Sequence, residues 1–237
     1  MKALSLKDMW RDEELRQVFA ACLTLSLATG VFAVSFGVTA VGAGASVAQT
    51  CVMSLTVFTG ASLFSAVSVI GAGGSAVSAF GGAALLAARN AVYGLAMAPH
   101  LKGRLATRLV AAQVTIDEST AMAAAQTDED HRRAAFWITG LSIYLFWNIG
   151  TLIGAILGSA IDPKTYGLDA AFPAAFVAMV WPLLRDRRSA LAAAIGATMC
   201  LALIPFTPVG VPILCAVLGV AVGIPSPGDT EPQAAAQ

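Results

Sequence analysis

The chain has 237 residues, 57% of them hydrophobic and only 12% charged, with a mean hydropathy of +0.77. A soluble domain carries about 25% charge, so this composition belongs in lipid, and its long continuous apolar runs select a helical bundle over the alternating strips of a barrel. Fourteen basic and fourteen acidic residues cancel, which argues against a nucleic-acid partner, and Cys22, Cys51, Cys200 and Cys215 are scattered without metal-ligand spacing beside only two histidines. The cysteines read as small buried hydrophobes, and neither a metal nor a cofactor is expected.

The expected class is all-α, a polytopic transmembrane bundle of about seven spans, or six if one segment is re-entrant. Residues 1–17 mix Leu4, Leu6, Met9, Trp10 and Leu15 with charges and read as a short interfacial helix. One transport domain, 18–224, follows, and a Pro-, Gly-, Ala- and Gln-rich tail, 225–237, is expected to be disordered. Val18 to Val41 has the length of a span and no cleavable-signal pattern. Ala48 to Ile70 is the second span, and its Ser, Thr and Gly around Gly60 either pack tightly or break the helix to expose backbone to a cavity. Gly71 to Gly74 turn the chain into a third span, Ala76 to Ala98.

Between Gln17 and Ala88 lie seventy-two residues without a charge, which Arg89 ends. Its guanidinium either reaches the interface on its long stem or pairs inside a polar cavity. His100 to Arg133 is the one sizeable polar connection. Leu101, Leu105 and Leu109 recur every fourth residue opposite Lys102, Arg104 and Arg108, the pattern of an amphipathic helix lying along the bilayer. Thr115 to Glu118 has capping-box form, and Thr127 to Asp130 a related form at the start of the next span. That span, Phe136 to Ile161, carries Gly150, Gly154 and Gly158 at every fourth position, a flat groove for a helix of this chain or of a partner. Asp162 to Tyr166 turns into Leu168 to Leu184, and Ala190 to Phe206 and Val209 to Ile224 complete the set.

Lys and Arg collect in cytoplasmic loops. The connection 102–133 and the Arg185 to Arg188 loop can both lie inside, yet three full spans before the connection would put the basic N-terminus outside. Either the stronger loops prevail and seven spans stand, which is the favoured count, or a segment before Arg89, foremost the one holding Phe58 to Val67, is re-entrant or broken. Gly30 and Gly37 echo Gly150 and Gly158, which raises an inverted repeat of two three-span units.

An intramembrane hydrolase needs a serine with a histidine in the bilayer. Ser62 is available, but His100 and His131 lie in the connection. A solute carrier needs only a few polar groups around a mid-membrane cavity. Candidates are Gly60, Ser62, Arg89, Asn90, Tyr93, Trp147, Asn148, Thr151 and Asp169 for substrate, with Asp117 and Glu118 for proton coupling. Each has a plainer reading: Tyr93 as an interface aromatic, Asn148 as glue between helices, Asp117 and Glu118 as first-turn helix acids.

Five segments in order, Phe58 to Val67, Ala88 to Pro99, Ile116 to Ala121, Trp137 to Ala155 and Gly167 to Phe176, resemble the AzlC family, the large subunit of bacterial branched-chain amino acid exporters. Leu63 stands where the family commonly has Gln, and Ala87 where many members have Asn. The resemblance implies export of valine, leucine or isoleucine from a multi-pass position in the bacterial inner membrane, with a small AzlD-type membrane subunit. A zwitterionic aliphatic substrate asks for a donor to its carboxylate, acceptors for its ammonium and a dry pocket. The sequence offers Arg89 and Asn90 for the carboxylate, Asp169 or Asp117 for the ammonium or a coupling proton, and Gly60 to Ser62 for backbone contacts.

Overall fold

In a computed structural model the described residues are 13–160, 177, 181, 184 and 186–219. In chain order they form α1 (Glu13–Gly42), α2 (Val47–Thr56), α3 (Gly60–Gly71), α4 (Ala76–Met97), α5 (Leu105–Gln113), α6 (Asp117–Ala124), α7 (Glu129–Ala160), α8 (Arg187–Leu203) and α9 (Val211–Ala216), with one 3-10 turn at Val217–Gly219. Among the described residues there are no strands. α1 and α7, with 30 and 32 residues, are each long and apolar enough to cross a bilayer. α4 has the length, 22 residues, but Arg89 and Asn90 dilute its hydropathy.

The packing of α1 on α7 follows from glycine. A Cβ added at Gly150 would meet the Gly30 carbonyl, one at Gly154 the Val34 carbonyl, and one at Gly158 would stand 2.9 Å from the Val38 Cα. The two backbones therefore touch directly, which is what small residues permit in lipid. The triple-glycine face is thus used within the chain. At the other end of the seam the Cys22 thiol donates to the Ala135 carbonyl at 3.9 Å. The contact pairs 22/135, 30/150, 34/154 and 38/158 rise together, so α1 and α7 run parallel.

The second expected span is not one helix. α2 opens beside the C-terminal end of α1 with a capping box, in which Gln49 N–H donates to Ser46 Oγ at 3.2 Å and Ser46 N–H to Gln49 Oε1 at 2.8 Å. It runs inward until Ser54 Oγ donates to Asn148 Oδ1 at 2.8 Å, halfway along α7. Val57, Phe58 and Thr59 break it, and α3 starts with Gly60 against Trp147. α3 ends with Gly71 against Ala43, back beside the C-terminus of α1. α2 and α3 are therefore a helical hairpin that enters and leaves at one end of the bundle, with its tip at mid-height.

α4 crosses the bundle, from Gly82 against Ser65 to His100, whose Nδ1 lies 2.9 Å from Glu129 at the start of α7. From that opposite end α5 runs inward, not along the surface as its leucine spacing predicts. Leu105 and Leu109 stay exposed, but Gln113 reaches the first hairpin's tip, its Nε2 donating to the Leu55 carbonyl at 3.1 Å. Val114, Thr115 and Ile116 break the helix, and α6 runs back until Met122 packs on Val18, Cys22 and Ala135. α5 and α6 make a second hairpin, pointing against the first.

Local caps differ from their sequence reading. Thr115 Oγ1 donates back to the Ala111 carbonyl at 2.7 Å, and Ile116 N–H is taken by Ser119 Oγ at 3.0 Å, so the Thr115–Glu118 box is not made. Asp128, not Thr127, caps α7, accepting the N–H groups of Asp130 and His131 at 2.9 and 3.0 Å. The His131 N–H holds the Asp128 carboxyl below the usual carboxylate range. Among the described residues α1 runs from Glu13 through residue 17 without a break. Among the cysteines, Cys22 is fully buried and the other three are half-buried.

Two topological expectations change. Among the described residues before α7, only α1 and α4 run from one end of the bundle to the other, so Arg16 lies at the same end as Lys102, Arg104, Arg108, Arg132 and Arg133, and the charge conflict disappears. The inverted repeat that lays α1 on α7 fails, because these helices run parallel. What is inverted is α1 with the first hairpin against α4 with the second. α8 and α9 form an antiparallel pair, with Gly196 against Ala216 and Gly219 against Ala192, and Gly210, at φ +95°, seats it on Val69 and Ser78. The expected turn at 162–166, the bulk of the span at 168–184, Asp169, and the segments 1–12 and 220–237 lie outside the described residues.

Candidate functional site

The two hairpin tips leave broken backbone at mid-height, and the chain satisfies only part of it. The carbonyl of Leu55, at the end of α2, accepts from Gln113 Nε2 and from the Tyr144 hydroxyl, both at 3.1 Å. The other side of the break is different. Thr59 makes no side-chain cap to α3, so the first-turn N–H groups of Gly60, Ala61 and Ser62 have no acceptor among the described residues.

A cavity of about 610 Å³ lies against both tips, within the ordinary size of a small-molecule site. Phe58 to Ala61 of the first hairpin and Ile116 to Glu118 of the second form two walls. Arg89 and Asn90 of α4, Ile143 and Trp147 of α7, and Leu25, Ala28, Thr29 and Phe32 of α1 also line it. Most of this lining is apolar, from a cluster in which Trp147 stacks on Phe36 at 6.1 Å and meets Phe32 and Phe64 edge-on. A Cβ on Gly60 would come 2.8 Å from the Trp147 ring, so glycine lets the tip lie on the indole.

Into this dry space the fold brings a few polar groups. Arg89 Nη2 lies 2.7 Å from Asp117 Oδ2, with side-chain exposures of 35% and 25%. Arg89 is therefore the paired residue of its two sequence readings, not a snorkelling one. Arg89 Nε, Asn90 Oδ1, Asp117 Oδ1 and Trp147 Nε1 are buried without a hydrogen-bond partner among the described residues. Two donors and two acceptors thus stand unsatisfied around one cavity, a costly arrangement unless something fills it.

Of the other sequence candidates, Gly60 and Glu118 also line the cavity. Tyr93, one turn beyond Arg89, lies beside the same Asp117 carboxylate. Ser62 is buried in the first turn of α3 with its hydroxyl unpartnered, just behind the wall. Asn148 and Thr151 do not reach the cavity: Ser54 Oγ lies 2.8 Å from Asn148 Oδ1 and 3.2 Å from Thr151 Oγ1, and Asn148 Nδ2 donates to the Tyr144 carbonyl at 2.7 Å. Those two act as helix-to-helix packing. Sequence reasoning missed Thr59, Ile116 and Gln113. A signal existed at Val114-Thr115-Ile116, three β-branched residues ahead of two acids, which favours a break over a surface helix.

A sequence model of the family described as "AzlC protein" matches residues 24–161. A relative from Bacillus subtilis (strain 168), "Branched-chain amino acid transport protein AzlC", is 27% identical over 209 residues, covering 86% of this chain and 79% of the relative. No solved structure matches. The family match takes in the paired long helices, both hairpins and the cavity between their tips, and on that extent the chain belongs to the AzlC family.

Proposed function

We propose that this chain is the large subunit of a carrier in the bacterial inner membrane that exports branched-chain amino acids with a small AzlD-type membrane subunit. The observation that carries the reading is the mid-height cavity, apolar over most of its wall, with its polar groups at Thr29, Arg89, Asn90, Asp117, Glu118, the α3 tip and Trp147. An aliphatic amino acid has the same division, a charged head and a dry tail. Two hairpins entering from opposite ends supply an element at each side of the site, as alternating access requires. The name of the Bacillus subtilis relative agrees on substrate class. A scaffold role finds less support, since the Gly150, Gly154 and Gly158 face is occupied by α1.

The test is efflux of preloaded labelled valine from cells lacking their own exporter, with this chain expressed alone and then with its small partner. Efflux that requires both chains supports the two-subunit carrier. No efflux of valine, leucine or isoleucine, with both chains inserted, rules it out.

A further inference from the structure

The cavity contains two helix N-termini, and they are not equivalent. α6 opens with Asp117 and Glu118 in its first turn, so its own acids already answer its positive end. α3 opens with Gly60, Ala61 and Ser62, has no acid in its first turn and receives no side-chain cap. Its free N–H groups form an anion-binding end at mid-height without an anion. Beside it, Trp147 is 4% exposed and its indole N–H finds no acceptor; Ser62, 1% exposed, also has an unpartnered hydroxyl. A Cβ on Gly60 would come 2.8 Å from the outer edge of the Trp147 ring, so the indole lies against the start of α3.

Arg89 is the obvious alternative anchor for a carboxylate. Its Nη2 is already 2.7 Å from Asp117 Oδ2, and although its Nε is unpartnered, a second carboxylate there would press against the first. The guanidinium is better placed to fix Asp117, whose Oδ1 remains free to accept.

We infer that the substrate's α-carboxylate is received by the free first-turn N–H groups of Gly60, Ala61 and Ser62 together with the Trp147 indole N–H, and its ammonium by Asp117 and Glu118 on the opposing tip. Arg89 is a positioning residue that orients Asp117. The aliphatic tail lies on Phe32, Phe58 and Ile143. The two hairpins then read opposite ends of one zwitterion, and a ligand lacking either charge engages only one tip. This rests on the amino-acid substrate proposed above.

The test is calorimetric titration of the full chain together with its small partner, in lipid nanodiscs, with leucine, leucinamide, which lacks the carboxylate, and 4-methylpentanoate, which lacks the ammonium. Trp147→Phe keeps an aromatic ring and removes the N–H; it weakens leucine by about tenfold, the size of one lost bond to a charged group, and leaves leucinamide unchanged. Thr59→Asp places a fixed carboxylate at the α3 end. It raises the melting temperature of the unliganded protein and abolishes leucine binding, while leucinamide still binds. Asp117→Asn weakens leucine and leucinamide alike and spares 4-methylpentanoate. Leucine binding unaffected by Thr59→Asp, an equal loss of leucine and leucinamide in Trp147→Phe, or loss of the leucine-over-leucinamide preference in Arg89→Gln alone, each overturns the assignment. If the wild-type chain with its small partner binds none of leucine, valine and isoleucine, the substrate reading falls first and the assignment with it.

Discussion

Arg89 and Asp117 are half-buried and 2.7 Å apart, so each is tolerable in an apolar surround chiefly because of the other. Removing one leaves the second charge uncompensated, whereas removing both does not. Arg89→Gln and Asp117→Asn should each lower the melting temperature, and the double variant should melt above either single one; additive losses in a thermal melt would mean the pair is not coupled. Export should fall in all three. A second residue, Asp128, caps α7 with a carboxyl held below its usual range by the His131 N–H. A depressed carboxylate pKa means that the cap stabilises above the unfolded value and is lost as pH falls through the folded one. The wild type should therefore lose more stability than Asp128→Ala between about pH 5 and about pH 3, measured as the difference between their melting curves. Equal pH dependence would show that the cap contributes nothing.

Elements here are joined by close backbone approach and by capping across the breaks. A leucine at Gly154 would have to displace the Val34 backbone, and overpacking of this kind costs about 1–3 kcal/mol or more. Gly94 has nothing within 4 Å of an added Cβ, so Gly94→Ala should melt at or above the wild-type temperature while Gly154→Leu melts far below it or fails to insert. The hairpin tips make a finer case. Gln113 and Tyr144 share the Leu55 carbonyl, and each bond should be worth about 1 kcal/mol. Gln113→Ala and Tyr144→Phe should each be mild alone, and their combination should be disproportionately destabilising, because only then is the carbonyl left without a donor. Hydrogen exchange at the tip would register that loss locally.

Across the described residues, the parallel course of α1 and α7 puts Arg16 and the charges of the α4–α5 connection and the start of α7 at one end. In a cysteine-free background, Gln17→Cys and Lys102→Cys should react with an impermeant thiol reagent from the same side of the membrane, and Ala72→Cys from the other. Labelling of Gln17 and Lys102 from opposite sides would refute the hairpin reading of α2 and α3 and restore a full crossing there. The same arrangement accounts for the burial pattern: Leu27 and Val31 on α1 and Phe80, Val92 and Leu95 on α4 are exposed, as faces turned to lipid should be.

The sequence by itself determined the class, the ends of α1, α4 and α8 to within a few residues, and the family, because lipid forces long apolar helical runs and because Arg89, the Gly60 region, Asp117 and Trp147 sit in recognisable segments. It also marked a weak point at the glycine and β-branched residues near 57–60, and held a second, missed in reading, at the β-branched run 114–116. Whether those weak points bend through or turn back was decided by tertiary structure. An apolar run of twenty-odd residues satisfies a crossing and a hairpin equally well; what selects the hairpin is a partner for the freed carbonyl, and Gln113 and Tyr144 come from segments 58 and 89 residues away. The pairing of Arg89 with Asp117, 28 positions further along the chain, was hidden for the same reason. Charge in a sequence shows only that a partner is needed, and distance along the chain does not show which one the fold brings within reach.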